Sequence, residues 1–328
     1  MDDLLPPSSS YLSWVSAVAS RHRATLTVVM VYLVWCRSTT SLLARTKPWG
    51  PRWLAVVVAR FLSWLLSAVN GNSIQVKPPP EPLVVGKQYE VVWHPHGVFT
   101  TMAFMYCGLH TVTASPLSWY PGVSPLLFRL PIFREVLLLL NARSVNGRCL
   151  DRLAAAGCNI GVQPGGIPEQ IISDSSREVA LFPGRLGFIK LAMRHGAELL
   201  PAYIFGENQA YDTCGSVGRA ISKFSFHWFG FPILLVRGRW GLPWIVPKAV
   251  DVHVCWGRPV PVGPPDASPT EDQVLAVFTK YVAELRRLFD ENKDKCLPPE
   301  VAKHGLSIGT WGHEARGCVS LDKLRSCL

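Results

Sequence analysis

Runs of residues that suit strands alternate with runs that suit helices from Gly86 onward, and this alternation most limits how the chain can fold. The strand-like runs include EVVWH (90–94), TVTASPL (111–117), EVALF (178–182) and ELLPAYIFG (198–206), and the helix-like runs include VFTTMAFMY (98–106) and FREVLLLL (133–140). A long amphipathic run, DQVLAVFTKYVAELRRLFDENK (272–293), follows later in the chain. Such alternation predicts an α/β fold in which a central, mostly covered sheet is flanked by helices.

Two apolar stretches precede this region, ATLTVVMVYLVWC (24–36) and WLAVVVARFLSWLLSAV (53–69). Each is shorter than the roughly 20 apolar residues that a straight helical span requires. Arginine flanks and nearby tryptophans favour a membrane location over two buried core helices. We therefore predict a membrane-embedded helical hairpin, inserted in one leaflet or forming a pair of thin spans. The positive-inside rule places the basic link between the stretches in the cytosol, which favours the shallow hairpin if the main domain is cytosolic.

The patterning divides the chain into five predicted segments. An N-terminal cytosolic segment (1–23) leads into the hairpin (24–69), and a proline-containing, extended linker (70–85) connects the hairpin to the main α/β domain (86–299). The remaining residues (300–328) are polar and glycine-containing, so we expect a loosely held tail.

The composition limits the classes of partner that the chain is expected to bind. Its 328 residues carry a net charge of +10, which suits a lipid headgroup surface, a nucleotide-like cofactor or nucleic acid. Nucleic acid is disfavoured because the basic residues are dispersed and form no recognisable motif. The nine cysteines are scattered and never form CxxC, which argues against a disulfide framework or a zinc knuckle and fits a reducing compartment.

The stretch WHPHG (93–97) joins a predicted strand to a predicted helix. Pro95 fixes the backbone between His94 and His96, and Gly97 permits an abrupt turn. The positive end of a helix disfavours imidazolium, so we expect neutral rings, able to take a proton from an alcohol. The alternative is a histidine hydrogen-bonded under a loop, but two histidines in one motif favour chemistry. We predict no metal site, since neither the other histidines nor the cysteines show ligand spacing.

A second candidate is QPGGIPEQI (163–171), which follows another strand-like run. Gly165 and Gly166 would let the backbone approach a ligand and present N–H groups to an oxyanion. Glu169 would orient an imidazole or cap the next helix. An ordinary Gly-Gly turn with a helix-starting glutamate explains the stretch equally well.

The run GFIKLAMRHGAELLPAYIFGEN (187–208) supplies further candidates. Lys190 and Arg194 share a helix face, where they would bind phosphates or form a solvated basic surface. His195 is expected to end the helix and to be structural. Glu207 and Asn208 follow a strand, where sites in α/β proteins tend to form.

These blocks, in this order, resemble the type 2 diacylglycerol acyltransferase family, which includes monoacylglycerol and wax-alcohol acyltransferases. The resemblance covers roughly residues 86–299 and adds FREVLLLL and FTKYVAELRRLFDENK to the motifs above. It implies a glycerolipid-acyltransferase-like domain that transfers a fatty acyl group from acyl-CoA to diacylglycerol, making triacylglycerol without a further cofactor. It also implies the endoplasmic reticulum membrane, with the catalytic domain facing the cytosol, and the lipid droplet surface. Membrane lipid is then a partner, and a homo-oligomer is compatible with the sequence.

The resemblance carries the family's functional residues over to matching positions. Catalytic roles fall on His96 as base, His94 and Glu169; substrate-binding roles fall on Gly97, Gly165, Gly166, Arg185, Lys190, Arg194, Glu207 and Asn208. The chain also departs from the family pattern. Leu186 stands where a lysine usually follows the arginine, Ile167-Pro168 replaces small residues, and no Tyr-Phe-Pro element precedes HPHG.

Three other functions remain open. The acceptor could be monoacylglycerol or a long-chain alcohol, or the chain could be a non-catalytic, membrane-anchored lipid-binding protein. The last of these leaves HPHG and GGIPE together unexplained. A lysophosphatidate-type enzyme is disfavoured because Thr101 stands where that class has a carboxylate after its histidine.

Overall fold

The computed structural model describes residues 22–70, 74–101, 119–241 and 246–311, with a few single residues and 319–320 besides. Its helices are α1 (Arg23–Ser38), α2 (Arg52–Asn70), α3 (Phe133–Leu139), α4 (Gly147–Ala155), α5 (Gly166–Ile172), α6 (Gly187–His195), α7 (Gly215–Phe229), α8 (Glu271–Cys296) and α9 (Pro299–Ala302). Its strands are β1 (Ile74–Lys77), β2 (Tyr89–His94), β3 (Trp119–Val123), β4 (Arg143–Ser144), β5 (Asn159–Val162), β6 (Glu178–Pro183), β7 (Glu198–Phe205), β8 (Asp212–Thr213), β9 (Val236–Arg237), β10 (Val252–Trp256), β11 (Leu306–Trp311) and β12 (Val319–Ser320).

The central sheet has seven strands in the order β1-β10-β7-β2-β5-β3-β4. The five strands from β7 to β4 run parallel to one another, whereas β10 is antiparallel to β7. The carboxyl ends of β7, β2 and β5 therefore lie side by side at one edge of the sheet. Loops that follow neighbouring parallel strands meet at that edge, which is where α/β proteins place their sites.

Helix α8 covers one face of this sheet. Its first residue follows Thr270, whose side chain and that of Gln273 form a reciprocal capping box. Apolar residues recur along α8 at helical spacing, and Phe278, Tyr281 and Phe289 are buried against the sheet together with α6. The opposite face carries a second buried cluster rich in aromatic side chains. The predicted central sheet flanked by helices is confirmed.

The tail prediction is wrong for residues 306–311. These residues form β11, which pairs in parallel with β6 in a separate three-stranded sheet, and Ile308 lies in the main core. The linker prediction also needs correction, since Ile74–Lys77 is the edge strand β1, paired with β10. In both cases backbone pairing with a distant strand decides the structure, and local composition does not reveal such pairing.

Helices α1 and α2 cover the two apolar stretches of the predicted hairpin. Helix α1 has no buried residue, and the hydroxyl of Tyr32 donates to Glu135 at 2.7 Å. Helix α2 buries Ala55 and Ala59 against Leu139 at the end of α3. Within the described ranges, neither these helices nor any other combine the length and the hydrophobicity needed to span a bilayer.

Two further predictions fall largely outside the described residues. The helix expected over 98–106 has only its ends described: 98–99 lie in a turn, and Thr101 and Tyr106 are helical. The strand expected over 111–117 has one described residue, Val112, which is helical.

Candidate functional site

The three predicted motifs meet at the carboxyl edge of the central sheet. HPHG begins at the last residue of β2, the Gly165-Gly166 turn follows β5, and Glu207 follows β7. Strand β2 lies between the other two, so its loop is contacted from both sides. The topology therefore brings together residues that are more than one hundred positions apart in sequence.

His94 is the last residue of β2, and its ring points into the core beneath α8. The side chain is fully buried, its Nε2 lies 3.0 Å from the hydroxyl of Tyr281, and its ring packs edge-on against Phe182. Burial lowers the pKa of His94 to about 3, so the ring is neutral at physiological pH. This depth gives His94 a supporting position under the loop.

His96 lies on the loop itself and is partly exposed. Its Nδ1 lies 3.1 Å from the carbonyl oxygen of Gly97 and 3.2 Å from Oγ1 of Thr100. A carbonyl oxygen only accepts, so Nδ1 carries the proton and donates. The other nitrogen, Nε2, is then the basic one. Desolvation by the surrounding protein lowers the pKa of His96, which is the direction expected from sequence, although burial causes the shift rather than a helix.

Glu169, in the first turn of α5, contacts the backbone of the histidine loop instead of an imidazole ring. One carboxylate oxygen accepts from the backbone N–H of His96, and the other accepts from the N–H of Leu181 at 2.7 Å. The side chain is buried, and burial raises the pKa of this carboxyl to about 7. Glu169 therefore connects the loop after β2 to strand β6.

Two predicted glycines make room for carboxylate side chains. A Cβ atom on Gly165 would stand 1.9 Å from Oε2 of Glu169, and one on Gly97 would stand 2.6 Å from Cγ of Glu207. Gly97 also has a φ of 63°, which favours glycine, as does Gly166 at 50°. The HPHG turn is thus packed between Glu207 on one side and Glu169 on the other.

A buried carboxyl that the sequence analysis missed lies beside this group. Glu178, at the start of β6, accepts from the side chains of Tyr203, Asn208 and Gln209 at 2.6 to 2.8 Å. Burial raises its pKa to about 7. Asn208, predicted to bind substrate, instead uses its amide to hold this carboxyl. A glutamate at the start of a strand gave no signal, because that position is usually exposed.

The basic residues predicted to bind phosphate differ in whether they have a carboxylate partner. Lys190 pairs with Glu271 and Arg194 pairs with Asp151, each at 2.6 Å. His195, the last residue of α6, also contacts Asp151, as expected of a structural residue. Arg185 is exposed just after β6, and no ion pair joins it to another described residue. No group of three or more His, Cys, Asp or Glu side chains suited to a metal occurs in the described part of the chain.

The burial of His94 has a consequence for stability. An unfolded histidine, with a pKa near 6.5, binds a proton below that pH, whereas folded His94 stays neutral down to about pH 3. The unfolded state binds more protons in this window, so His94 contributes less stability as the pH falls from 6.5 toward 3. We expect the stability difference between wild type and His94→Gln to shrink by about 2 kcal/mol between pH 6.5 and about pH 5. Denaturant unfolding in detergent at both pH values measures it, and a pH-independent difference would contradict the buried, neutral ring.

The structure is thus an α/β domain in which the loops at the strand ends converge on a neutral histidine. Residues 63–303 match the diacylglycerol acyltransferase family. The chain belongs to this family. It is 32% identical over 238 residues to Diacylglycerol O-acyltransferase 2 of Bos taurus, covering 66% of this chain and 64% of the relative. The corresponding protein of Homo sapiens is 32% identical, with 66% and 60% covered. The 2-acylglycerol O-acyltransferase 3 of Homo sapiens is 31% identical over 247 residues, with 68% and 67% covered.

The matched region spans less than two thirds of the length of the two Diacylglycerol O-acyltransferase 2 relatives. No solved structure matches the chain.

Proposed function

We propose that the chain is an acyl-CoA-dependent O-acyltransferase that transfers a fatty acyl group to diacylglycerol and so makes triacylglycerol. The observation that carries this proposal is the contact of Nδ1 of His96 with the carbonyl oxygen of Gly97, from which we infer that Nδ1 holds the proton and that Nε2 is the basic nitrogen. Membership of the diacylglycerol acyltransferase family supplies the substrate class.

In the proposed reaction, Nε2 of His96 takes the proton of the acceptor hydroxyl as its oxygen attacks the thioester carbonyl. The tetrahedral intermediate collapses with loss of the CoA thiolate, which takes the proton from the imidazolium. The products are an ester and free CoA, so no further cofactor is required. In the first turn of α5, Pro168 has no N–H and the N–H of Glu169 donates to the carbonyl oxygen of Gly165, so we assign the remaining N–H groups, those of Gly166 and Ile167, to the developing oxyanion. Glu169 positions the loop that carries the base.

Thr100 is a positioning residue for this base. Its hydroxyl donates to the carbonyl oxygen of His96 at 3.0 Å and accepts from Nδ1. We expect Thr100→Val to lower kcat about tenfold, the cost of one or two hydrogen bonds, and to leave the KM for acyl-CoA unchanged. Thr100→Ser keeps the hydroxyl and should restore most of the activity. Equal losses in both variants would show that the hydroxyl has no such role.

Arg185 is the cation that we assign to the CoA phosphates. It is exposed beyond β6, whereas Lys190 and Arg194 already have carboxylate partners. We expect Arg185→Ala to raise the KM for acyl-CoA about tenfold with little change in kcat, because a charge-assisted hydrogen bond to phosphate contributes about 1.5–3 kcal/mol. Arg286→Ala, at an exposed position on α8, is the matched control. The assignment fails if both variants have the same KM.

We also propose that the chain is anchored to a membrane through α1 and α2. Helices α1 and α2 expose large apolar side chains, among them Met30, Val34, Phe61 and Trp64. We place them as a shallow hairpin in the cytosolic leaflet of the endoplasmic reticulum, with the α/β domain in the cytosol and access to the lipid droplet surface. Protease treatment of sealed microsomes should then digest the α/β domain without detergent. Protection of the domain in intact vesicles would refute this topology.

One finding, the similarity to 2-acylglycerol O-acyltransferase 3, favours monoacylglycerol as an alternative to diacylglycerol as the acceptor. The test is an assay of membranes from lipid-deficient cells that express the chain, given labelled oleoyl-CoA with diacylglycerol, monoacylglycerol or a long-chain alcohol. Triacylglycerol as the main product supports the proposal, and diacylglycerol or wax ester would reassign the acceptor. Saturable lipid binding without any labelled ester would indicate a non-catalytic lipid-binding protein.

A further inference from the structure

Helix α7 buries small residues and exposes large apolar ones, which is the reverse of an ordinary surface helix. The side that faces the protein carries small residues, and Gly218, Ser222 and Ser225 are its buried positions. Surface helices of water-soluble domains normally bury their large apolar side chains and expose polar ones. In α7 the large apolar side chains are on the outside.

The exposed side of α7 forms a continuous apolar face. Val217, Ile221, Phe224 and Trp228 are spaced four, three and four residues apart, which places them on one side of the helix. Their exposed fractions are 67%, 37%, 61% and 66%, and the rings of Phe224 and Trp228 lie 6.1 Å apart. Phe229 and Phe231 are exposed beyond the end of the helix, 62% and 45% respectively, and extend the face.

Hydrogen bonds fix this orientation. The hydroxyl of Ser222 donates to the carbonyl oxygen of Ile233 at 2.7 Å, and the N–H of Ile233 donates to Oγ of Ser225 at 2.7 Å. Rotating α7 to bury its aromatic side would break both bonds and leave buried polar groups unsatisfied. The exposed face is therefore a feature of the folded state rather than a helix that could turn inward.

The charges beside this face select the partner. Helix α7 contains no aspartate or glutamate. Lys223 is exposed on it and has no ion pair with another described residue, whereas Arg219 contacts Asp174 at 3.5 Å. Helix α7 of a second copy would offer Lys223 no carboxylate. A lipid surface with anionic headgroups attracts this cation, while phenylalanine and tryptophan enter the boundary between headgroups and acyl chains. We propose that α7 docks on a phospholipid bilayer, with Val217, Ile221, Phe224 and Trp228 entering the interface.

The docked helix would lie close to the candidate site. A groove between α5 and α7 is lined by Val98, Ile171, Gly218 and Leu234 among others, and Val98 directly follows HPHG. Contact of α7 with a bilayer would bring this end of the sheet to the lipid surface. The inference rests on the exposed apolar face of α7 and the charges beside it, and it stands whether or not the chain transfers acyl groups.

The test uses the full chain with a photoreactive benzoylphenylalanine at position 224, bound to vesicles of phosphatidylcholine and phosphatidylserine in equal amounts. The matched control carries the same group at position 85, where Val85 is also apolar and 71% exposed but precedes β2, at the opposite edge of the sheet. After irradiation, mass spectrometry of digested protein identifies peptides that carry a lipid. We expect about tenfold more lipid adduct at position 224 than at position 85.

Two outcomes would overturn the inference. Cross-links from position 224 to another copy of the chain, in place of lipid, would make the face a dimer interface. Equal lipid adducts at the two positions would show that α7 is not specifically docked. The thermal unfolding temperature of both labelled proteins should match that of the wild type, because both positions are exposed, and this measurement confirms that each comparison is made on folded protein.

Discussion

Replacement of His96 by alanine is expected to lower the turnover number for acyl transfer by about 10²- to 10⁴-fold, the usual contribution of a general base. The basic Nε2 is lost, while Glu169 still accepts from the backbone N–H of residue 96. The KM for acyl-CoA should stay near the wild-type value, because the ring is assigned to the chemical step and not to binding. Labelled oleoyl-CoA and diacylglycerol in membranes that express the variant provide the measurement.

His195→Ala is the matched control for this experiment. His195 ends α6 and contacts Asp151, and the same chemical change there should leave acyl transfer close to normal. Immunoblots must show equal protein in the three membrane preparations. Wild-type-like activity of His96→Ala at equal abundance would remove the proposed base and, with it, the mechanism.

Adding a single methyl group at Gly165 is expected to cost nearly as much activity as losing the base. The backbone of Gly165 has ordinary helical angles, so alanine meets no backbone strain there. Its Cβ would, however, stand 1.9 Å from Oε2 of Glu169, and the carboxylate must move. The backbone N–H groups of His96 and Leu181 then lose their acceptor. We expect a loss of about 3 kcal/mol in stability and about 10²-fold in turnover, since the loop that carries the base shifts.

Gly147→Ala tests whether this effect is specific. Gly147 begins α4, and a Cβ there would have no neighbour within 4 Å. This variant should be as stable as the wild type or slightly more so, because alanine favours helix over glycine. Thermal unfolding and turnover are compared for the two variants. Wild-type turnover in Gly165→Ala would mean that Glu169 does not position the histidine loop.

Much of the sheet could be predicted because its strands and helices have distinct local periodicities. EVVWH, EVALF and ELLPAYIFG form β2, β6 and β7, and the long amphipathic run forms α8, which extends by a few residues beyond its predicted ends. The pairing of β11 with β6 was not predictable, since it joins segments about 130 residues apart through backbone hydrogen bonds. The sequence analysis made no prediction for α7, although Val217, Ile221, Phe224 and Trp228 recur at helical spacing.

The candidate site divides in the same way. The motifs themselves, HPHG and GGIPE, were recognisable as sequence blocks, and the topology places them together. What the sequence did not reveal was the atom that each side chain contacts. Glu169 accepts from the backbone N–H of His96, where an imidazole partner or a helix cap was expected, and Asn208 holds Glu178 where a substrate contact was expected. Such contacts depend on where the fold places each atom, to within a few tenths of an ångström, and the spacing of residues in the sequence does not specify those positions.

The covering of His94 by Tyr281 has a consequence for how the chain matures on the ribosome. The two residues are 187 positions apart, so the histidine strand emerges long before the helix that seals it. Until α8 has been translated, the nascent polypeptide exposes an apolar sheet surface with an ionisable ring at its end. Completion of the candidate site is therefore a late event in synthesis, and the growing chain is prone to aggregation until that helix has been made.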